Sequence, residues 1–482
     1  MDRIWQINSF NGWESDDIIQ WPANSFYQWE NIEVRKNLSA LQLAPLLTDT
    51  GWVFDDNISY MCNLETLWVD WGGILVCLEN WKTYLNWVLK TTFNTWTSAH
   101  DEIEWIWVNE NLLWDQYIYY ITKTVFWAWK IHRSTTDLAT FNVSYRSFTV
   151  ASGNSGFVWV INDTGLMYIG INNKILLMEQ DEIVQEFLLL PTQEIISWFT
   201  QFQGTFKIYT NLINTWVQYV WDGVSEAISY RQEWLNQPIL WVVNEWATDY
   251  AILWFNENYS WLFKIQGTQK TKLRTNLKAS SDSRILNKYL SIREGIVYIG
   301  WGKTWQSDNY WVYTYGNYYP WTARSLVQSF SWAVSFIYQC HKSTLSYFAT
   351  ADNKVYTISH NNPPSAYAAS WYVVTNMYQG FIWEEKSFNY MKLWFKLNWW
   401  EVKIYARTDI SASWKLIKTI DNATYWSKKS VRIDKNEVME SGSELWTLNE
   451  LQLKIELISS AWGANTPEVY NPTTWLTSTN TK

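Results

Sequence analysis

Gly153-Asn-Ser-Gly156, Phe157-Val-Trp-Val-Ile161, Asn162-Asp-Thr-Gly165, Leu166-Met-Tyr-Ile-Gly-Ile171, Asn172-Asn173 and Lys174-Ile-Leu-Leu-Met178 follow one another without interruption. The runs are filled by β-branched and aromatic residues. The breaks hold Asn, Asp and Gly, the residues that reach positive φ at least cost in a two-residue hairpin loop. The stretch therefore reads strand, turn, strand, turn, strand. Similar meanders recur through most of the chain, which points to a repetitive all-β protein rather than an enzyme built around one cleft.

Outward from that stretch, further pairs of strands are expected on both sides. Ile74-Leu-Val-Cys-Leu78, Lys82-Thr-Tyr-Leu85 and Leu89-Lys-Thr-Thr-Phe93 form one set, and Tyr117-Ile-Tyr-Tyr-Ile121 with Trp129-Lys-Ile-His132 another. Phe206-Lys-Ile-Tyr209 with Trp216-Val-Gln-Tyr-Val220 and Tyr250-Ala-Ile-Leu253 with Trp261-Leu-Phe-Lys-Ile265 continue the series. Gly295-Ile-Val-Tyr-Ile-Gly300 with Tyr310-Trp-Val-Tyr-Thr314, and Ser346-Tyr-Phe-Ala-Thr350 with Lys354-Val-Tyr-Thr-Ile358, complete it. The spacing of roughly 40 to 50 residues is the period of β-propeller blades. It predicts a six- or seven-bladed β-propeller-like domain over 51–365; a long β-sandwich, or a pair of them, is the other arrangement it allows. Asn361-Asn-Pro-Pro-Ser365 marks the boundary, because consecutive prolines cannot continue a ladder. Beyond it, Tyr390-Met-Lys-Leu-Trp-Phe-Lys-Leu397, Glu401-Val-Lys-Ile-Tyr-Ala-Arg407 and Leu451-Gln-Leu-Lys-Ile-Glu-Leu457 alternate cleanly. They predict a small C-terminal β-sandwich over 366–475, with 476–482 as a loose tail. Residues 1–50 read as an extended arm that packs on the body or on a neighbouring subunit.

Composition sets limits on function. The 482-residue chain exceeds what one core usually serves. A formal charge of −9 offers no electrostatic footprint for nucleic acid, and no apolar run approaches the ~18 residues of a membrane span. The N-terminus lacks the basic and apolar regions of a signal peptide, and three cysteines, Cys62, Cys77 and Cys340, do not make a disulfide framework.

Tryptophan is the anomaly. The chain has 39 Trp against 18 Gly, together 57, whereas average usage predicts about 34 Gly in this length. Many Trp also stand where turns want glycine: Asn398-Trp399-Trp400, Asn86-Trp87, Trp71-Gly72-Gly73, Asn80-Trp81, Gly300-Trp301-Gly302 and Ala461-Trp462-Gly463. Others, such as Trp159 in an apolar run and Trp114, look like ordinary core residues. The pattern suggests that the native host reads UGA as glycine where the present sequence shows Trp. The competing reading is a naturally Trp-rich protein that stacks rings on saccharides.

No constellation for catalysis emerges, so no catalytic, cofactor or metal residues are assigned. His100, His132, His341 and His360 are scattered, and Cys340-His341 would point to opposite faces of a strand. Asp16-Asp17, Asp55-Asp56, Asp101-Glu102 and Glu384-Glu385 are candidate carboxylate pairs for glycoside hydrolysis, but adjacent acids are typical of solvated turns. Ser134-Thr-Thr-Asp137-Leu-Ala-Thr-Phe141 faintly resembles a sialidase Asp-box. Asn162-Asp163 and Asp352-Asn353 suit hairpin turns better than cation sites.

With Trp reread as Gly, Ser9-Phe-Asn-Gly-Trp-Glu-Ser-Asp-Asp17, followed by Phe26-Tyr-Gln-Trp-Glu-Asn-Ile-Glu-Val-Arg35 and Leu43-Ala-Pro45, resembles the opening of a group of bacteriophage tail and virion structural proteins. Glu450-Leu-Gln-Leu-Lys-Ile-Glu-Leu457 and Thr466-Pro467-Glu468 are similar to their last domain. The resemblance implies a propeller with a C-terminal sandwich and a non-enzymatic role in particle assembly. It also implies virion partners, self-association, and residence in the virion after synthesis in the host cytoplasm. A host-surface glycan is the alternative partner, bound by an adhesin-like propeller; a propeller glycosidase is a third reading.

Overall fold

The computed structural model describes residues 2–6, 26–30, 32–33, 40–43, 47–63, 73–80, 82–92, 102–110, 116–123, 128–149, 157–161, 166–178, 184–212, 215–225, 228–235, 239–245, 247–256, 259–267, 269–278, 290–293, 296–301, 310–318, 322–330, 334–339, 345–359, 370–375, 378–379, 386–407, 412–434, 450–459 and 466–478. Seven four-stranded antiparallel sheets lie among them, so the propeller has seven blades. Within six blades the strands follow chain order, beginning with Ile58–Asn63, Glu102–Glu110, Phe157–Ile161, Ile195–Phe202, Ile239–Glu245 and Leu290–Arg293. The seventh contains Val334–Gln339, Leu345–Thr350 and Lys354–Ser359.

The first strands line the axis. Ile58–Asn63 touches both Glu102–Glu110 of the second blade and Val334–Gln339 of the seventh, so the ring closes on itself. The fourth strand of the seventh blade comes from the other end of the chain. Leu47–Val53 pairs with Lys354–Ser359, with Ile358 opposite Leu47 and Lys354 opposite Val53. The clasp is reinforced by Thr50 Oγ1 donating to Val355 O at 2.7 Å and Phe54 N donating to Asn353 O at 3.0 Å. Closing a propeller with a terminal strand makes ring opening cost a whole ladder.

Blades stack face to face, which explains why the middle strands read as unbroken apolar runs rather than alternations. Ile74–Leu78 and Met167–Ile171 are buried at every residue. A strand covered on both faces has no solvent side for polar residues. Tyr119 and Tyr120 show the consequence: Tyr120 packs with Leu75 and Cys77 of the first blade, and Tyr119 with Met167 and Ile169 of the third. An extensive core spans the third to fifth blades and includes fully buried Trp216 and Trp221.

Two six-stranded sheets form the second module. One runs Ile32–Glu33, Ala40–Leu43, Glu468–Ser478, Lys386–Lys396, Ser430–Asp434, with Asp2–Gln6 also on Glu468–Ser478. The other runs Phe26–Glu30, Ser370–Thr375, Glu450–Ile458, Glu401–Arg407, Lys415–Ile420, with Tyr378–Gln379 also on Glu450–Ile458. Here alternation survives, with Val402, Ile404 and Ala406 buried between half-buried neighbours. The N-terminal segment packs on the body as added strands: four strands complete the C-terminal sheets and a fifth, Leu47–Val53, completes the propeller, pairing edges whose ladder groups would otherwise stay open. The strand Glu468–Ser478 likewise runs past the expected end of the module into the tail. Phe26–Glu30 and Ile32–Glu33 also touch Thr322–Phe330 of the sixth blade, so the N-terminal segment ties the modules together. The proline boundary at 361–365 lies outside the described residues.

Candidate functional site

The fourth and fifth blades hold two carboxylates that are almost completely buried. Glu194, just before the strand Ile195–Phe202, accepts from Thr210 Oγ1 and the Tyr219 hydroxyl, both at 2.6 Å, and from Arg231 Nη2 at 3.0 Å. It thereby fastens the three later strands of its own blade. Burial pushes the Tyr219 hydroxyl up to about 12, so it remains a donor. Asp249 accepts from Lys207 Nζ at 2.7 Å, the Tyr209 hydroxyl at 2.5 Å and Asn244 Nδ2 at 2.5 Å. Lys207 and Tyr209 belong to the fourth blade and Asp249 to the fifth, so this cluster is a tie between blades. Burial and the Asp249 charge raise the Tyr209 hydroxyl well above its ordinary value. Buried carboxylates that accept from three donors each hold strands together.

Among the described acidic residues singled out from the sequence, Asp55, Asp56, Asp137 and Asp352 fall in turns or bends. Asp55 pairs with Lys82, whose ammonium hydrogen bond lowers its carboxyl below the ordinary value. Asp56 accepts from Asn57 N at 2.9 Å. Asp137 accepts from Thr135 Oγ1 at 2.5 Å and Ala139 N at 3.0 Å, and these bonds lower its carboxyl. Asp352 repeats the device, accepting from Thr350 Oγ1 at 2.5 Å before Asn353 at φ +65°. The Asp-box-like segment is thus a turn lock of a kind that the fold uses again. Glu102 opens a strand opposite Lys123. Asp16-Asp17, Asp101, Asn162-Asp163, Glu384-Glu385, His100, His341, His360 and Cys340 lie outside the described residues, as do Trp71, Trp81, Trp114 and Trp462.

Among the described residues, no group of three His, Cys, Asp or Glu is placed to hold a metal. His132 is fully buried and its Nε2 lies 2.9 Å from Thr122 Oγ1; burial lowers it to about 4, so the ring is neutral. Cys77 is buried against Thr83, and burial pushes its thiol well above the ordinary value, which removes it as a nucleophile. Trp301, expected in a turn, lies instead in the strand Ile296–Trp301 opposite Trp311.

An open groove of about 1130 Å³ lies in the C-terminal module. Trp394, Trp399, Tyr425 and Trp426 supply rings, and Lys428 and Lys429 line the same groove. Trp399 and Trp426 are 80% and 77% exposed. Lys392 lies over the Trp394 ring at 4.4 Å and Lys428 over Tyr425 at 5.0 Å. Flat rings with ammonium groups beside them suit a sugar face or another planar, electron-rich ligand.

No family model and no curated protein sequence matches the chain. Solved structures do. The Neurospora crassa Pan2 WD40 domain is 10% identical, covering 64% of this chain and 90% of that one, with a TM-score of 0.43. A streptogramin B lyase is 12% identical over 66% of this chain and 98% of that one, at 0.43. A catalytically inactive virginiamycin B lyase from Staphylococcus aureus with quinupristin is 10% identical over 65% and 98%, at 0.44. The ring of four-stranded sheets itself defines the class: this is a β-propeller protein with an attached β-sandwich.

Proposed function

We propose that the chain is a structural protein of a bacteriophage particle, of the tail or the head-to-tail region, acting as a β scaffold in assembly. The observation that carries this reading is the double fastening of the N-terminal segment. Its first four strands complete the C-terminal sheets, and its fifth closes the propeller. Neither module can open without breaking a ladder contributed from far away in sequence, which suits a part that must transmit force without reacting. The saturated carboxylates Glu194 and Asp249 fit the same role, since they stiffen blades rather than face a ligand. The partners would be other particle proteins and further copies of this chain. Disrupting the gene in the phage tests the proposal. Particles arrested before completion are expected; normal yields of infectious particles would overturn it.

Glycan binding is the second reading, and the groove beside Trp399 and Trp426 is the observation that favours it. Binding of host-surface glycans by the intact protein, lost on Trp426→Ala, would support it over the scaffold alone.

A further inference from the structure

Three hairpin loops share one backbone. Asn86 and Trp87 have φ of +47° and +69°, Gln203 and Gly204 +48° and +73°, and Asn398 and Trp399 +50° and +77°. The first loop is closed by the Leu85–Val88 pair and the second by Phe202–Thr205. In the third, Trp400 N donates to Leu397 O at 2.9 Å. Two successive positive φ values define the turn whose twist matches its flanking strands, and its second position is where glycine is most favoured. Gly204 meets that demand. Trp87 and Trp399 put a bulky side chain on the same left-handed backbone. Asparagine, which tolerates that region, holds the first position in both, and each is engaged: Asn86 Oδ1 accepts from Ile74 N at 3.0 Å, and Asn398 Nδ2 donates to Thr466 O at 2.7 Å. The rest of each loop is thus built for its turn, and the indole is out of place.

The surroundings of these rings agree. Trp87 stacks on Trp52 with centroids 3.2 Å apart, closer than the ~4.5–7 Å at which aromatic rings pack. Trp52 itself follows Gly51 at φ +75°. Trp399 projects into solvent. A second population behaves as tryptophan should. Trp221 is 1% exposed, donates from Nε1 to Ser225 O at 2.7 Å, and packs edge-on against Tyr168 with centroids 5.2 Å apart.

We propose that Trp87 and Trp399 are glycines in the native protein, with Trp52 in the same set, inserted by a glycine-charged tRNA that pairs with UGA; Trp221 is a genuine tryptophan. The groove in the C-terminal module then loses the Trp399 indole, and with it part of the surface that favours sugar binding. The proposal is independent of the virion reading, and either can fail alone.

Two measurements test it. Peptide sequencing by mass spectrometry of protein from its own source covers Thr83–Lys90 and Leu397–Lys403. Glycine at 87 and 399 is expected, and tryptophan at both overturns the proposal. With recombinant protein, Trp87→Gly and Trp399→Gly are each expected to raise the folding constant roughly tenfold, the cost of a side chain on left-handed backbone. Trp221→Gly should lower it sharply. If all three variants lose stability to a similar degree, the division into two populations is wrong.

Discussion

Replacing Asp249 by alanine isolates the tie between the fourth and fifth blades. The carboxylate is wholly buried and accepts from Lys207, Tyr209 and Asn244. Without it the Lys207 ammonium, 9% exposed, keeps the Ala247 carbonyl at 3.3 Å but loses its counter-charge. Removing one partner of a buried ion pair costs about 3–5 kcal/mol. The stranded Tyr209 hydroxyl alone would cost about 1–3 kcal/mol, but the two penalties overlap because they share one site. The expected loss is therefore about 4 kcal/mol, against a total of about 5–15 kcal/mol for an ordinary domain. Urea unfolding followed by tryptophan fluorescence reads it directly, since Trp216 and Trp221 lie in the fourth blade. The companion variant Lys207→Met, Tyr209→Phe, Asp249→Leu removes the acceptor with two of its three donors, while the third, Asn244, keeps the Thr248 carbonyl at 3.3 Å. It should recover most of the loss, as apolar replacements of buried ion pairs do. A single variant that costs under about 1 kcal/mol, or a triple variant no better than the single, would refute the claim that an uncompensated buried charge sets the penalty.

His132 predicts a pH dependence. Its folded value, about 4, lies below the ordinary 6.5, so the unfolded chain binds the proton first. Stability is full above about 6.5 and falls as pH drops towards 4, by about 3 kcal/mol in all; His132→Phe should flatten that window in pH-dependent unfolding. Asp137 and Asp222 are lowered by hydrogen bonds, so their contributions are present above the ordinary carboxylate range and disappear below it, at more acid pH than the histidine step. Gly170→Ala should destabilise by about 1–3 kcal/mol, read as a lower melting temperature, because its Cβ would stand 2.7 Å from Ile196 Cγ2 and 3.0 Å from Phe199 Cζ. Deleting residues 1–46 should strip protection from Glu468–Ser478 and Ser370–Thr375 in hydrogen exchange and promote aggregation through their exposed edges; unchanged protection would contradict the threading.

The strands of the blades were legible because their chemistry is local. Leu166 to Met178 shows its turn at Asn172, and the structure places Asn172 at φ +55°. The apolar run Ile74–Leu78 was legible as a strand, and the structure buries it at every residue. The pairing of distant segments was not legible. Nothing in Leu47–Val53 says that its partner is Lys354–Ser359, and the polar stretch around the first strands carries no periodicity that names the C-terminal sheets. Blade number followed only once that closing strand was placed. Glu194 and Asp249 were also hidden, since Pro191-Thr-Gln-Glu194 reads as a surface loop and Thr248-Asp249 as a turn. Thr210 and Arg231 reach Glu194 from 16 and 37 residues away, and Lys207 reaches Asp249 from 42, relations no short motif encodes. The turn tryptophans stood out in sequence because turn chemistry is local, and their backbone angles bear on the same positions.

The most direct test of the assembly role is quantitative peptide mass spectrometry on purified, salt-washed phage particles. The scaffold reading predicts this chain at a fixed copy number alongside the other particle proteins. Its absence, or traces that washing removes, would contradict it.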